Sequence, residues 1–200
     1  MNYEIFISKK PADGREIKEI DGLPVIRPIQ VHGGEVSFVG RRTLKPPRAD
    51  ALITDNREVW IGVLTADCIP IFLIGEEAVG IVHAGWRGTL KGVAFNAVSY
   101  MSRFTKVKKA IIGVGVCKKC YEVKRDLWEL FKERYSSFFE RVSEDRFLLD
   151  LKGINKLQLS SAGVEEIEDL NLCSMCNNDL YYSYRKEKTE KRTLSAIRLL

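Results

Sequence analysis

The residues of this chain best suited to chemistry are His32, Cys68 and His83. They stand in three short segments, Gln30-Val31-His32-Gly33, Thr65-Ala66-Asp67-Cys68 and His83-Ala84-Gly85-Trp86-Arg87-Gly88. These segments hold both histidines and the one cysteine that lies outside a Cys-x-x-Cys pair. Glycine beside histidine lets backbone or ligand approach closely. Two imidazoles and a thiolate suit zinc, with copper the next candidate, and three protein ligands leave a fourth position for water. A bound metal lowers the pKa of that water toward ~7. The spacing, His-x35-Cys-x14-His, is not that of a zinc finger, so the three can meet only through the fold. Singly, a strand-end histidine is more often a hydrogen-bonded structural residue, and a single cysteine a small buried hydrophobe. The combination is what points to a catalytic metal.

Two neighbours extend the candidate site. Asp67, beside Cys68, is a candidate acid/base or a group that orients a ligand; its plainer role is to cap a strand end. Arg87 stands just before a helical pattern, where its guanidinium and the turn Gly85–Gly88 offer donors to an anion. Further on lie two Cys-x-x-Cys pairs, Cys117-Lys118-Lys119-Cys120 and Cys173-Ser174-Met175-Cys176. Such pairs signal a structural Cys₄ metal site or disulfides. The 52 residues between them are long for a zinc ribbon.

The elements that must position these residues are mostly strands in the first half. Apolar or β-branched runs at 4–8, 23–31, 36–39, 51–54, 59–65, 69–74 and 78–82 are separated by Gly, Asp, Asn or Pro. The runs 69–74 and 78–82 predict a hairpin. Helical spacing of Leu90, Val93, Ala94, Ala97, Val98 and Met101 predicts a helix over 88–103. The continuous apolar run 109–116 predicts a buried central strand. Helices are expected over 125–134 and 150–162, and strands over 163–167 and 193–199. His32, Cys68 and His83 each follow an expected strand, and strand ends of one sheet converge on a common rim. Early strands followed by helix–strand alternation imply an α/β sandwich with a mixed sheet.

Two hundred residues suit a single domain, 1–200, with a core that needs no disulfides. Apolar residues make up 45% and charged residues 30%, as in an ordinary globular protein. The net charge of +5 favours an anionic substrate, but the basic tail 185–192 is interleaved with glutamate, which argues against nucleic-acid binding. No apolar run is long enough to span a membrane, and Met-Asn-Tyr-Glu-Ile-Phe is not a signal-peptide start. The expected compartment is the cytoplasm, where five cysteines, an odd number, point to metal binding or catalysis.

The motifs Gln30-Val-His-Gly33, Ala49-Asp50-Ala51-Leu-Ile-Thr54, Thr65-Ala-Asp-Cys-Ile-Pro70 and His83-Ala-Gly-Trp-Arg-Gly-Thr89 resemble a known family. So do Cys120-Tyr-Glu-Val123 and Cys173-Ser174 with Tyr181-Tyr-Ser-Tyr-Arg185. The family was once labelled multicopper polyphenol oxidase, or laccase domain, and is now regarded as zinc-containing purine nucleoside phosphorylases with adenosine deaminase activity. The resemblance runs from about Gln30 to the C-terminus. It implies His32, Cys68 and His83 as zinc ligands, the set chosen above. It implies a three-layer α/β/α fold shared with the catalytic domain of cytotoxic necrotizing factor. It also implies phosphorolysis of adenosine, guanosine, inosine and methylthioadenosine, and deamination of adenosine. Catalysis would then rest on Asp67, Cys68, His83 and Arg87. Gln30, Arg41, Arg48, Arg87 and Arg185 would contact nucleoside or phosphate. Family members commonly read Gly-Pro-Cys-Cys-Tyr-Glu-Val where this chain has Cys117-Lys-Lys-Cys120, so a Cys₄ site would be particular to this chain.

Two histidines cannot supply a blue-copper site and a copper cluster together, which argues against oxidase chemistry. The usual zinc deaminase signature, His-x-Glu with Pro-Cys-x-x-Cys, is absent. The alternative is a metal-free hydrolase, with Cys68 as nucleophile and His83 as base; for such an enzyme the resemblance implies a role in editing cell-wall precursors, as in some bacterial relatives.

Overall fold

The computed structural model describes residues 2–41, 43 and 45–200. Its strands are β1 (Tyr3–Ile7), β2 (Glu19–Ile20), β3 (Leu23–Ile26), β4 (Val36–Phe38), β5 (Ala51–Thr54), β6 (Trp60–Thr65), β7 (Ile69–Ile74) and β8 (Val79–Ala84). After the helices α1 (Trp86–Leu90) and α2 (Val93–Met101) come β9 (Lys109–Ile112), β10 (Glu122–Lys124) and α3 (Arg125–Tyr135). The chain ends with β11 (Phe139–Arg141), β12 (Arg146–Leu149), α4 (Leu151–Ser161), β13 (Glu166–Asp169), α5 (Tyr184–Glu187) and β14 (Thr193–Leu199).

Alternation along the strands sorts these elements into layers. A six-stranded sheet runs β13-β9-β7-β8-β5-β4, and a five-stranded sheet runs β1-β14-β6-β3-β2. Both mix parallel and antiparallel pairs, and β7 and β8 form the expected antiparallel hairpin. Ala51, Ile53, Ile69, Ile71, Leu73 and Val82 face α2 and α4 through Val93, Ala94, Val98, Met101, Ile154 and Leu159. Leu52, Phe72, Ile74, Val79 and Ile81 face the other way, onto Ile61, Val63, Ile197 and Leu199 of the five-stranded sheet. A smaller apolar cluster on that sheet gathers Trp60, Leu194 and Ala196 with Ile20, Leu23 and Val25 of its edge strands and with Ile17. Fully burying one such aliphatic side chain contributes about 1.5–3 kcal/mol.

The α/β class and the mixed sheet are therefore as expected, and there are three layers. Their order is helices, sheet, sheet: one outer layer, expected to be helical, is the five-stranded sheet. Strands apolar on both faces do not say what covers them. Other differences have local causes. β3 stops at Ile26 instead of running to Val31, and Pro28 beyond it has no N–H to pair. The helix expected over 88–103 is two helices, broken where Gly92 adopts φ 76°. Gln158 and Asn155 of α4 secure α1 at that break, donating to the Thr89 carbonyl at 2.7 Å and its hydroxyl at 3.0 Å. The run 109–116 is strand only to Ile112, and the late strand lies at Glu166–Asp169. The small sheet β10-β12-β11 was not expected, because charged residues at Glu122, Lys124, Glu140, Arg141 and Arg146 mask its strand signal. Among the described residues, no helix is long and apolar enough to cross a membrane.

Candidate metal centre

Strand register assembles the site. In the β7–β8 hairpin Ile69 pairs with Ala84, and Pro70 with His83. Cys68, one residue before Ile69, thus faces Gly85 at the open end of the hairpin. On the other flank of β8, Ala51 pairs with Val82, so Asp50 faces His83, whose N–H donates to the Asp50 carbonyl at 2.7 Å. His32 arrives on the loop after β3 with φ 55°. One ligating atom each from His32, Cys68 and His83 lies within 4.8 Å of the others. The two imidazoles meet edge to face with centroids 4.9 Å apart.

Asp50, whose role sequence reasoning missed, organises this arrangement. Its carboxylate is fully buried. It accepts His83 Nδ1–H at 2.8 Å and the N–H groups of His32 at 3.0 Å, Gly33 at 2.6 Å and Val31 at 3.3 Å. One carboxylate therefore fixes the His32 loop and turns Nε2 of His83 toward the other donors. A carboxylate behind a ligating histidine sets its tautomer and raises its basicity. The sequence carried one usable signal, an acid just before an apolar strand in the quoted Ala-Asp-Ala motif.

The electrostatics favour a Cys68 thiolate beside a protonated His83, whose proton a metal must displace to bind there. Burial opposes the Cys68 thiolate, but the charge of His83 and hydrogen bonds from both histidines outweigh it and bring the thiol down to about 6. Burial also opposes a charged His83, yet the Cys68 thiolate and Asp50 raise it to about 9. Burial pushes Asp50 up, and His83 with the Gly33 N–H holds it below the ordinary carboxylate range. This soft donor set, placed around one point, fits a metal ion with an open position.

Gly85 leaves the space for it. A Cβ there would lie 3.0 Å from Cys68 Sγ, 3.5 Å from His32 Cδ2 and 3.9 Å from His83 Cε1. Its φ of −78° suits any residue, so room is the constraint. Gly85→Ala should cost about 1–3 kcal/mol of crowding. Competition with a chromophoric chelator should then show about ten- to hundredfold weaker metal binding. Unchanged affinity would show that the cradle is not used.

The three donors sit in a cleft of about 1050 Å³. Trp86, Tyr121 and Tyr184 give it aromatic walls, and Arg15, Arg87, Arg146, Arg185 and Arg192 line it as well. Arg87 lies over the Trp86 ring at 4.2 Å. Arg185 lies over Tyr121 at 4.4 Å and donates to the Glu122 carbonyl at 2.9 Å. Arg41 and Arg48 are exposed and are not among the residues that line the cleft. Gln30 lines the cleft, but its amide pairs with the backbone of Leu64, donating at 2.9 Å and accepting at 2.8 Å. It anchors the His32 loop to β6. Asp67 is buried with φ 92°. Its carboxylate accepts Ser174 Oγ–H and the Arg185 N–H, both at 2.7 Å. It ties the cleft wall together, with both oxygens engaged. Burial pushes the Tyr121 hydroxyl up to about 12.

The second cysteine group also converges. The sulfurs of Cys117, Cys120, Cys173 and Cys176 all lie within 4.8 Å of one another, and all five cysteines are free thiols.

Residues 15–200 match the family model described as multi-copper polyphenol oxidoreductase laccase. The chain is 34% identical over 201 residues to a purine nucleoside phosphorylase of Aquifex aeolicus, covering 100% of this chain and 94% of that protein. It is 34% identical over 148 residues to adenosine deaminase RL5 of an unknown prokaryotic organism, covering 68% of this chain and 56% of that protein. Among solved structures, Neisseria meningitidis protein NMB0706 superposes with a TM-score of 0.86 at 26% identity, covering 99% of this chain and 94% of that one. The matched span takes in the His32, Cys68 and His83 segments together with both cleft walls, and the chain belongs to the multi-copper polyphenol oxidoreductase laccase family.

Proposed function

We propose that this chain is a zinc-dependent purine nucleoside phosphorylase that also deaminates adenosine and cleaves methylthioadenosine. The observation that carries this reading is the meeting of His32, Cys68 and His83 at the floor of a cleft with aromatic walls and arginines. The names of the similar Aquifex aeolicus and RL5 proteins support the substrate class. Zinc held by these donors supplies Lewis-acid activation of water or of a substrate oxygen. Trp86, Tyr121 and Tyr184 offer flat surfaces to a purine ring. Arg87 and Arg185 hold phosphate, each already stacked on a ring that limits its freedom. In phosphorolysis a phosphate oxygen bonds C1′ as the C1′–N9 bond breaks. In deamination water adds at C6 and ammonia leaves. Asp50 orients His83, and Asp67 holds the backbone of Arg185.

The test incubates adenosine with zinc-loaded protein, with and without phosphate, and follows adenine and inosine. Arg87→Ala should lower phosphate-dependent cleavage about 10- to 100-fold, since a hydrogen bond to a charged group is worth ~1.5–3 kcal/mol. Deamination, which needs no phosphate, should fall less. Neither product forming, with rapid copper-dependent phenol oxidation instead, would refute the nucleoside reading. Equal losses in both reactions would remove Arg87 from phosphate binding.

One observation favours a second reading. Cys68, His83 and Asp50 form a nucleophile–base–carboxylate series, with the thiol drawn down to about 6. A metal-free hydrolase stays active in chelator and dies on thiol alkylation; the zinc enzyme loses activity in chelator and regains it with zinc.

A further inference from the structure

We propose that Cys117, Cys120, Cys173 and Cys176 form a second metal site, a tetrathiolate zinc centre that clamps together two segments behind the cleft. This inference does not depend on the nucleoside reading. Four sulfurs around a tetrahedral ion at ~2.3 Å stand about 3.8 Å apart. Here Cys120 Sγ and Cys176 Sγ are 3.6 Å apart, and all four sulfurs fall within 4.8 Å of one another. Packing does not account for the cluster, since Cys176 is exposed and Cys117 and Cys120 are half-buried. The first pair is wound as a tight turn, and in the second the Asn177 N–H donates to the Cys173 carbonyl at 2.9 Å. Lys118–Cys120 is a tight 3-10 turn, with the Cys120 N–H donating to the Cys117 carbonyl at 3.0 Å. The Cys117 N–H points at Cys173 Sγ at 3.3 Å, as backbone donors do toward a thiolate. Four thiolates on a divalent ion leave a charge of about −2; Lys119 lies in the first pair and Lys186 Nζ reaches the Met175 carbonyl at 3.2 Å, while Lys118 is paired with Glu140 at 2.8 Å.

The position gives the site a purpose. The segments 113–121 and 171–177 meet at one isolated bridge, Gly115 to Cys173, where the Gly115 N–H donates to the Leu172 carbonyl at 3.4 Å and the Ser174 N–H to the Gly115 carbonyl at 3.2 Å. Neither is held by a full sheet or a long helix. Yet Val116 and Tyr121 line the cleft, and Ser174 donates to Asp67. A tetrahedral cross-link between them fixes the cleft wall, because a structural zinc contributes its binding energy to folding.

The experiment counts metal in the full-length protein. Wild type should hold two zinc ions per chain, Cys120→Ser/Cys176→Ser one, and Cys68→Ala one. Cobalt loaded into Cys68→Ala should show strong thiolate-to-cobalt charge transfer with tetrahedral d–d bands, and adding Cys120→Ser/Cys176→Ser should abolish them. The cobalt spectrum of Cys68→Ala keeps all four cysteines, so it decides the matter even if the double variant fails to fold. One zinc in wild type, none in Cys68→Ala and no cobalt–thiolate band would overturn the proposal, whether the four cysteines then react as thiols or run as disulfides by mass.

Discussion

Cys68→Ala is expected to remove one metal ion per chain and to lower adenosine turnover by more than about 100-fold. Loss of a partner behind a ligand alone costs ~10–100-fold in metal affinity or activity, and Cys68 is a direct donor that supplies the only thiolate of the set. The burial changed is small, because one sulfur is lost from a site where Gly85 already leaves space. The metal-free variant should therefore stay folded. Wild type at a metal concentration 100 times its Kd should gain about 2.7 kcal/mol of stability at that site, and the variant should lack this gain. Metal analysis, turnover and thermal melting check the three parts. A variant that keeps full metal content would show that His32 and His83 bind without the sulfur, and the site as described would be wrong.

The second large effect is expected at Asp50. Asp50→Ala leaves His83 Nδ1 and the N–H groups of His32 and Gly33 without their buried acceptor. Removing one partner of a buried charged network costs about 3–5 kcal/mol. Metal affinity should fall a further ~10–100-fold, since both histidines lose their orientation. Asp50→Asn, which keeps the shape and one acceptor oxygen, should recover part of the stability but less of the affinity, because the charge that sets the His83 tautomer is gone. The acid limit follows the same carboxylate. Its folded pKa lies below the ordinary value, so its contribution is present above the usual carboxylate range and fades as pH falls through the lowered value. Chelator competition and melting curves test this. Wild-type affinity in Asp50→Asn would end the assignment.

The three donors were legible because each follows an apolar run, and strand ends share a rim. The cysteine pairs were legible because a Cys-x-x-Cys spacing is local. Asp50 was not, because its contacts depend on β5 lying beside β8, a register no local pattern states. Asp67 read as an acid/base, a ligand-orienting group or a strand cap, and its partners, Ser174 107 residues away and the Arg185 N–H, could come only from the fold. Gln30 read as a ligand contact because a glutamine that completes a strand looks no different in sequence from one that binds substrate. Arg41 and Arg48 were grouped with Arg87 and Arg185 by charge alone, and only the fold separates them. The second sheet stayed hidden because β6 and β14 bury both faces, which erases the alternation that would have told sheet from helix cover.

The pairing of the strands also bears on how the chain reaches this form. Closing a loop costs more entropy the longer it is, and distant pairings form slowly. The β7–β8 hairpin spans only Ile69 to Ala84, and it carries Cys68 and His83 at its open end. The five-stranded sheet instead needs Tyr3 to find Leu199 and Ser195 to find Val63. Two of the three donors should therefore come into proximity well before the outer sheet closes. A newly made chain would then pass through a stage with this thiol and imidazole together but still open to solvent. At that stage the choice of ion depends on which ions are free in the surroundings, before the finished cleft can select among them.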